Sequence, residues 1–338
     1  MNVLVTGGAG YIGSVMSRIL LEKGYKVTIL DRLFFGKDSL KDITDQTTII
    51  KDDVRFFNPD LLGGVDAVFD LAALSNDPCG ELDQEKTLEI NYKGRVRVAN
   101  LAKKYGIKKY VFASTCSVYG FQEGVINEES GLNPLTTYAK ASMIAEKEIL
   151  PLADKTFSAT VLRQATVYGF SYRMRFDLAI NGMTLGYFRN GKIPIMRDGK
   201  QWRPFVNVRD TSNAFIKVLD TEPELVTGQI FNVGSDEQNI QIFDLAKVVA
   251  EACRLPFNYE WYGDCDTRSY RVCFNKIKDT LGYKPQTSIK KGAETVFTAL
   301  KEGRLNPDDP RVITVRWYKH LLEMQRFLKD TEIDGMLL

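Results

Sequence analysis

Asn2-Val3-Leu4-Val5-Thr6-Gly7-Gly8-Ala9-Gly10-Tyr11-Ile12-Gly13 is the stretch whose reading decides the fold. Its first five residues form a short apolar run rich in β-branched side chains, which reads as a buried strand. Glycines follow, and Ile12, Val15, Met16, Ile19 and Leu20 then recur at helical spacing. Gly8, Gly10 and Gly13 satisfy Gly-x-Gly-x-x-Gly, and Gly7, Gly10 and Gly13 satisfy a second three-glycine spacing. Between a strand and a helix, such glycines permit a tight turn and let backbone N–H groups approach a diphosphate. The helix start adds unpaired donors and the positive end of its dipole. A second strand over 26–30 runs into Asp31, a carboxylate placed to accept from ribose hydroxyls and to repel a 2′-phosphate. The combination predicts a dinucleotide site that favours NAD. Arg32 follows at once and keeps NADP open. Asp53, after a third strand, is a candidate adenine contact.

Outward from this turn, strands over 47–50, 65–71, 109–114 and 159–163 alternate with helical stretches, notably 82–105 and 136–153. Strands alternating with helices imply a parallel sheet covered on both faces, joined by right-handed crossovers. Beyond about residue 166 the pattern loosens. Helices are expected at 176–189, 243–252 and 289–300, and strands at 204–208, 229–233 and 257–261. The fold class read from this pattern is α/β, a Rossmann-type doubly wound parallel sheet with a smaller α/β substrate-binding lobe. Residues 1–166 are expected to form the NAD-binding domain, with later segments returning to it. Residues 167–338 are expected to supply mainly the second lobe and a C-terminal helix.

Composition narrows the function classes. Of 338 residues, 44% are hydrophobic and 26% charged, the balance of an ordinary globular chain. The formal net charge of +2 gives no footprint for nucleic acid. No apolar run approaches the roughly 20 residues of a membrane span, and the N-terminus has no signal-peptide pattern. Five cysteines without a Cys-x-x-Cys pair read as reduced thiols of a cytoplasmic protein. The single histidine, His320, leaves no multi-histidine metal site and no Ser-His-Asp triad, and no metal is expected. Acid–base work therefore falls to Tyr, Lys, Asp, Glu, Ser or Cys.

Several motifs in fixed order resemble those of the extended short-chain dehydrogenase/reductases, in the nucleotide-sugar epimerase/dehydratase group. They are Thr6–Gly13, Asp31, Leu71-Ala72-Ala73, Asn91, Ser114-Thr115-Cys116-Ser117-Val118-Tyr119-Gly120, Tyr138, Arg163, the stretch 202–210 and Phe231-Asn232-Val233-Gly234. The resemblance implies NAD in the first lobe and a nucleoside-diphosphate sugar in the second. For the cofactor it implies contacts from Gly7, Gly10, Tyr11, Ile12, Gly13, Asp31, Asp53, Val54, Leu71, Ala72, Ala73, Asn91, Ser114 and Tyr138. For the sugar nucleotide it implies Thr115, Cys116, Ser117, Thr166, Asn181 and a diphosphate clamp of Arg203 and Arg268. A homodimer through the helices at 82–105 and 136–153 is implied as well.

The same resemblance assigns catalysis to Tyr138 as base and Thr115 as the hydroxyl that orients the sugar oxygen. It also exposes a departure. The family carries a lysine four residues after the tyrosine, one turn along the same helix face; here that position is Ser142. Lys140, two residues on, lies about 200° around the helix. An unassisted tyrosine is only about 0.1% phenolate at neutral pH. The residues after Thr115 are Cys116 and Ser117, where dehydratases of the group carry Asp-Glu, which argues against 4,6-dehydration. Cys116 is either a substrate-facing thiol or a small apolar filler. The reading is an NAD-dependent nucleotide-sugar epimerase acting through oxidation at C4. Two alternatives stay open: a C4 oxidoreductase or dehydratase-like enzyme, and a weakly active or non-catalytic binding protein.

Overall fold

A computed structural model describes residues 1–266, 268–333, 335 and 336. Strand β1 (Asn2–Thr6) leads through the glycine turn into helix α1 (Tyr11–Glu22). Strands β2 (Lys26–Asp31), β3 (Thr47–Lys51), β4 (Ala67–Asp70) and β5 (Lys109–Thr115) follow. With Ser158–Gln164 and Ile230–Val233 they make a seven-stranded parallel sheet in the order Ile230–Val233, Ser158–Gln164, β5, β4, β1, β2, β3. Strand residues alternate between faces, and the burial follows that period. Val3 and Val5 join Met16, Phe69 and Phe215 on one side, while Leu4 joins Val68, Val98, Phe112 and Ile149 on the other. Helices α1 and Val208–Asp220 pack together on the first face; Arg95–Lys104 and Thr137–Ile149 cover the second. The strand order reverses between β1 and β4. The crevice beyond the carboxyl ends of strands at such a reversal is where open α/β sheets bind ligands.

Local chemistry accounts for where elements begin and end. The helical stretch at 82–105 is three pieces, Gln84–Leu88, a π-helical turn Glu89–Gly94 and Arg95–Lys104. The π-turn carries Asn91, whose amide clasps both the N–H and the C=O of Leu74. Thr136 caps Thr137–Ile149 by accepting from the Ala139 N–H, and Pro151 lies just past that helix's end. Ala139, Ala141 and Ala145 are buried along this helix, where small side chains allow close packing. The helix expected from residue 176 starts at Ala179, because the Asp177 carboxylate just before it pairs with Arg175. The strand expected at 204–208 spans Trp202–Asn207, and Asn207 caps the helix that follows.

Beside the large sheet lie three small ones. Asn239–Gln241, Trp202–Asn207 and Thr166–Tyr168 form one; Tyr259–Tyr262 pairs with Ile193–Met196, and Ser269–Val272 with Phe121–Ile126. The C-terminal helix Thr314–Thr331 turns back toward the first lobe, where Trp317 Nε1 donates to the Phe34 carbonyl at 2.6 Å. His320 is exposed on this helix. Among the described residues no helix is long and apolar enough to cross a membrane, and no cluster of His, Cys, Asp or Glu fits a metal ion.

Candidate active site

A cavity of about 610 Å³ runs from the glycine turn, past Tyr138, to Arg203 and Arg268 in the second lobe. At its first end Gly7, at φ +69°, makes the turn after β1. A Cβ on Gly13 would sit 2.4 Å from the Gly7 carbonyl oxygen and 2.6 Å from the Gly8 Cα, so only glycine lets the turn close on the helix start. No side chain occupies the cap of α1. Gly10, Tyr11, Ile12 and Gly13 at its start line the cleft. Asp31 accepts from the N–H groups of Ala9 at 3.0 Å and Leu33 at 2.7 Å. Burial raises its carboxyl above the ordinary range, against the pull of those two N–H groups. Arg32 donates to Asp53 at 2.7 Å. Burial pushes the Asp53 carboxyl up, but the Arg55 and Arg32 guanidiniums outweigh it and hold it low. Arg32 is thus engaged with an acid.

Tyr138 and Thr115 both line the cleft, and the Thr115 hydroxyl acts on the Tyr138 phenol. Gly80 makes room here, since a Cβ on it would come within 2.8 Å of the Tyr138 Cβ. Burial raises the Tyr138 phenol above the ordinary range, and the Asp77 charge adds to the rise. Thr115, Arg95 and Arg175 pull it down, with Thr115 the largest of the three. No lysine is among its main influences. Lys140 is exposed, and Ser142, 2% exposed, donates to the Tyr138 carbonyl at 3.0 Å.

At the far end a single carboxylate bridges two guanidiniums. Asp266 accepts from Arg203 Nη2 at 2.8 Å and from Arg268 Nε and Nη2 at 2.9 and 2.7 Å. Arg268 also donates to Asp77.

Most of the expected site residues line this one cleft: Gly7, Gly10, Tyr11, Ile12, Gly13, Asp31, Asp53, Val54, Leu71, Ala72, Ala73, Ser114, Thr115, Ser117, Tyr138, Thr166, Arg203 and Arg268. Four do not. Asn181 is fully buried: it accepts from the Gly169 N–H and donates to the Tyr11 hydroxyl and the Arg175 carbonyl, so no amide group is left for a ligand. Cys116 is 1% exposed, its thiol turned to the Arg163 carbonyl, and burial raises its pKa; it is a filler. Asn91 holds the 71–77 loop through Leu74 instead of facing the cleft. Ser142 points its hydroxyl back along its own helix.

Arg95, Gln201 and Tyr318, which sequence reasoning did not single out, also line the cleft, together with Arg173, Arg175 and Asp266. Isolated residues of these types carry no local signal. Two of them hold buried polar atoms without a partner, Arg173 Nε and Gln201 Oε1. Orphaned atoms of this kind in a cleft wall are what bound ligand groups would satisfy. With the open glycine cradle, Arg173 Nε fits a dinucleotide at the first end, while Gln201 lies beside Arg203 at the other.

The sequence matches the NAD dependent epimerase/dehydratase family over residues 3–234. The chain belongs to that family. Among its relatives is a UDP-glucose 4-epimerase of Lactobacillus helveticus, 29% identical over 85% of this chain and 92% of the relative. A UDP-N-acetyl-alpha-D-glucosaminuronate decarboxylase of Bacillus cytotoxicus is 28% identical over 88% of this chain and 97% of its own length. Among solved structures, MoeE5 in complex with UDP-glucuronic acid and NAD superposes with a TM-score of 0.79 at 26% identity, covering 90% of this chain and all of that one. These similar proteins carry the names of different reactions on nucleotide sugars.

Proposed function

We propose that the protein is an NAD-dependent nucleotide-sugar epimerase that works through oxidation at sugar C4. The observation that carries this reading is the single cleft joining a glycine cradle, a tyrosine–threonine hydroxyl pair and two arginines. The glycine turn and the start of α1 would hold the cofactor diphosphate, and Asp31 the adenosine ribose. When bound, the nicotinamide supplies a hydride acceptor and returns the hydride. Tyr138 takes the proton from the sugar hydroxyl as hydride leaves, and gives it back on the return. Thr115 fixes the direction of that hydroxyl. Arg203 and Arg268 grip the sugar-linked diphosphate with bidentate forks once Asp266 yields its place. Relatives named as UDP-glucose 4-epimerases support the sugar class.

Turnover of purified protein against a panel of nucleotide sugars, with mass spectrometry of released cofactor, tests the reading. Net isomerisation with bound NAD is expected. Absence of both dinucleotide uptake and product removes it. The lack of a cation at residue 142 favours one second reading, a protein that binds cofactor and sugar nucleotide but turns over slowly. Tight binding with no product is its signature. We also propose a homodimer through the helices Arg95–Lys104 and Thr137–Ile149, checked by light scattering on the eluting peak.

A further inference from the structure

The segment after Thr166–Tyr168 is fastened to the start of α1. Tyr11 donates its hydroxyl to the Gly169 carbonyl at 2.7 Å, and Ser171 Oγ donates to the Tyr11 carbonyl at 2.6 Å. Ser171 Oγ also lies 3.2 Å from Ser14 Oγ, and it accepts from the Arg173 N–H at 3.3 Å. These bonds fix Arg173 beside the first turn of α1, whose Gly10, Tyr11, Ile12 and Gly13 line the cleft. Its side chain is 7% exposed and lines the cleft. The guanidinium lies 3.5 Å over the Phe35 ring, and Nη2 donates to Thr314 Oγ1 at 3.0 Å. Nε is buried without a partner.

Its neighbour is in a different state. Arg175 is paired with Asp177 at 2.6 Å and donates to Ser75 Oγ at 2.9 Å. Arg173 has no carboxylate at ion-pair distance among the described residues. Asp177, the nearest candidate on its own segment, is taken by Arg175 and by the Asn76 amide. A buried guanidinium without a counter-ion is unfavourable, and a hydroxyl and an aromatic face offset that only in part. Burial and the Arg175 charge beside it push Arg173 down to about 10, as expected of a cation waiting for an anion.

We propose that Arg173 is a binding residue for the dinucleotide diphosphate, completing the phosphate site beside the α1 N-terminus. The inference rests on the cofactor reading above and adds a residue that no glycine motif contains. A fork donor and backbone N–H groups together would hold both phosphates, and the Thr314 contact ties that site to the C-terminal helix.

Titration of the full-length, nucleotide-free protein with NAD⁺, ADP-ribose and adenosine tests this. Arg173→Met should weaken NAD⁺ and ADP-ribose by about ten- to a hundredfold, the range for a lost charge-assisted contact. Adenosine, which has no phosphate, should bind as in the wild type. Arg173→Lys keeps the charge without the fork, and its NAD⁺ affinity should fall between the two; it also serves if the methionine variant does not fold. Thr314→Val removes the same helix contact without touching the charge and should keep most of the NAD⁺ affinity. Equal affinity in all variants, or equal losses for adenosine and NAD⁺, overturns the role of Arg173 and leaves the cofactor reading standing. Wild-type protein that takes up none of the three compounds overturns both.

Discussion

To act as a base Tyr138 must lose a proton, and its surroundings oppose this. Burial and the Asp77 charge hold the phenol above its ordinary range, and the pull of Thr115, Arg95 and Arg175 falls short. A rate that depends on the phenolate should therefore still be climbing with pH at pH 9. Ser142→Lys should add a cation one helical turn from the phenol. The expected result is a rise in kcat at pH 7 of about tenfold or more, each unit of pKa lowering being worth a factor of ten in phenolate. The pH–rate profile should move toward lower pH. Tyr138→Phe should cost about 10²- to 10⁴-fold, the usual contribution of a positioned acid–base group. Undiminished turnover in Tyr138→Phe would remove that residue from the mechanism. Tyr138 and the glycine turn were legible in the chain because each is a residue type at a fixed distance from a strand end. Arg95 was not, because its partner Asp70 lies 25 residues away in sequence; nor was the Thr314 contact of Arg173, 141 residues away. The directions in which Asn181 and Cys116 turn were not legible either: a spacing names a position but not where a buried side chain points.

The helix that carries Tyr138 is held by one buried ion pair. Glu146, two turns after Tyr138, receives the Arg163 guanidinium through Nε at 3.1 Å and Nη2 at 2.6 Å, with both side chains 3% exposed. Arg163 reaches on to the Tyr119 hydroxyl at 3.0 Å, and Tyr119 to Asn232 at 2.8 Å, so the helix is tied across two strands of the sheet. Arg163→Met should destabilise the protein by about 3–5 kcal/mol, because it strands a buried carboxylate. Urea unfolding measures this, and Glu146→Met added to it should recover much of the loss. At the other end of the cleft Asp266 competes for the guanidiniums that the sugar diphosphate would need. Asp266→Asn should tighten nucleotide-sugar binding by about tenfold, one charge-assisted contact no longer having to be broken. Weaker binding in that variant would make Asp266 an organiser of the two arginines instead of their rival. Helix and strand periods were legible to within a few residues, and the departures have local causes. The Asp177–Arg175 pair delays one helix, the Asn207 cap ends a strand early, and a π-turn interrupts the long helix to deliver Asn91 to Leu74.

Taken as one body, the molecule closes its cofactor end with its last helix. Trp317 and Arg311 donate to the carbonyls of Phe34 and Phe35, and Tyr318 packs edge-on to both rings, at 6.0 and 5.4 Å. Saturating NAD⁺ should raise the melting temperature of the wild type, since about 100 times Kd of ligand adds about 2.7 kcal/mol. Trp317→Ala should show a smaller rise at the same concentration by scanning fluorimetry, with the ligand-free melting temperature moved far less. An equal rise in both proteins would mean that this helix does not support the cofactor loop. None of this closure was legible in sequence, because the loop and the helix are separated by nearly the whole chain. The sheet has a long-range dependence of its own, with Ile230–Val233 laid along Ser158–Gln164, all seven of whose residues are buried. A ribosome that has released only the first half of the polypeptide has therefore made a sheet with a bare apolar rim, open to pairing with a neighbouring nascent chain. Chaperone demand during synthesis should peak in that interval and subside once residue 233 has cleared the exit tunnel.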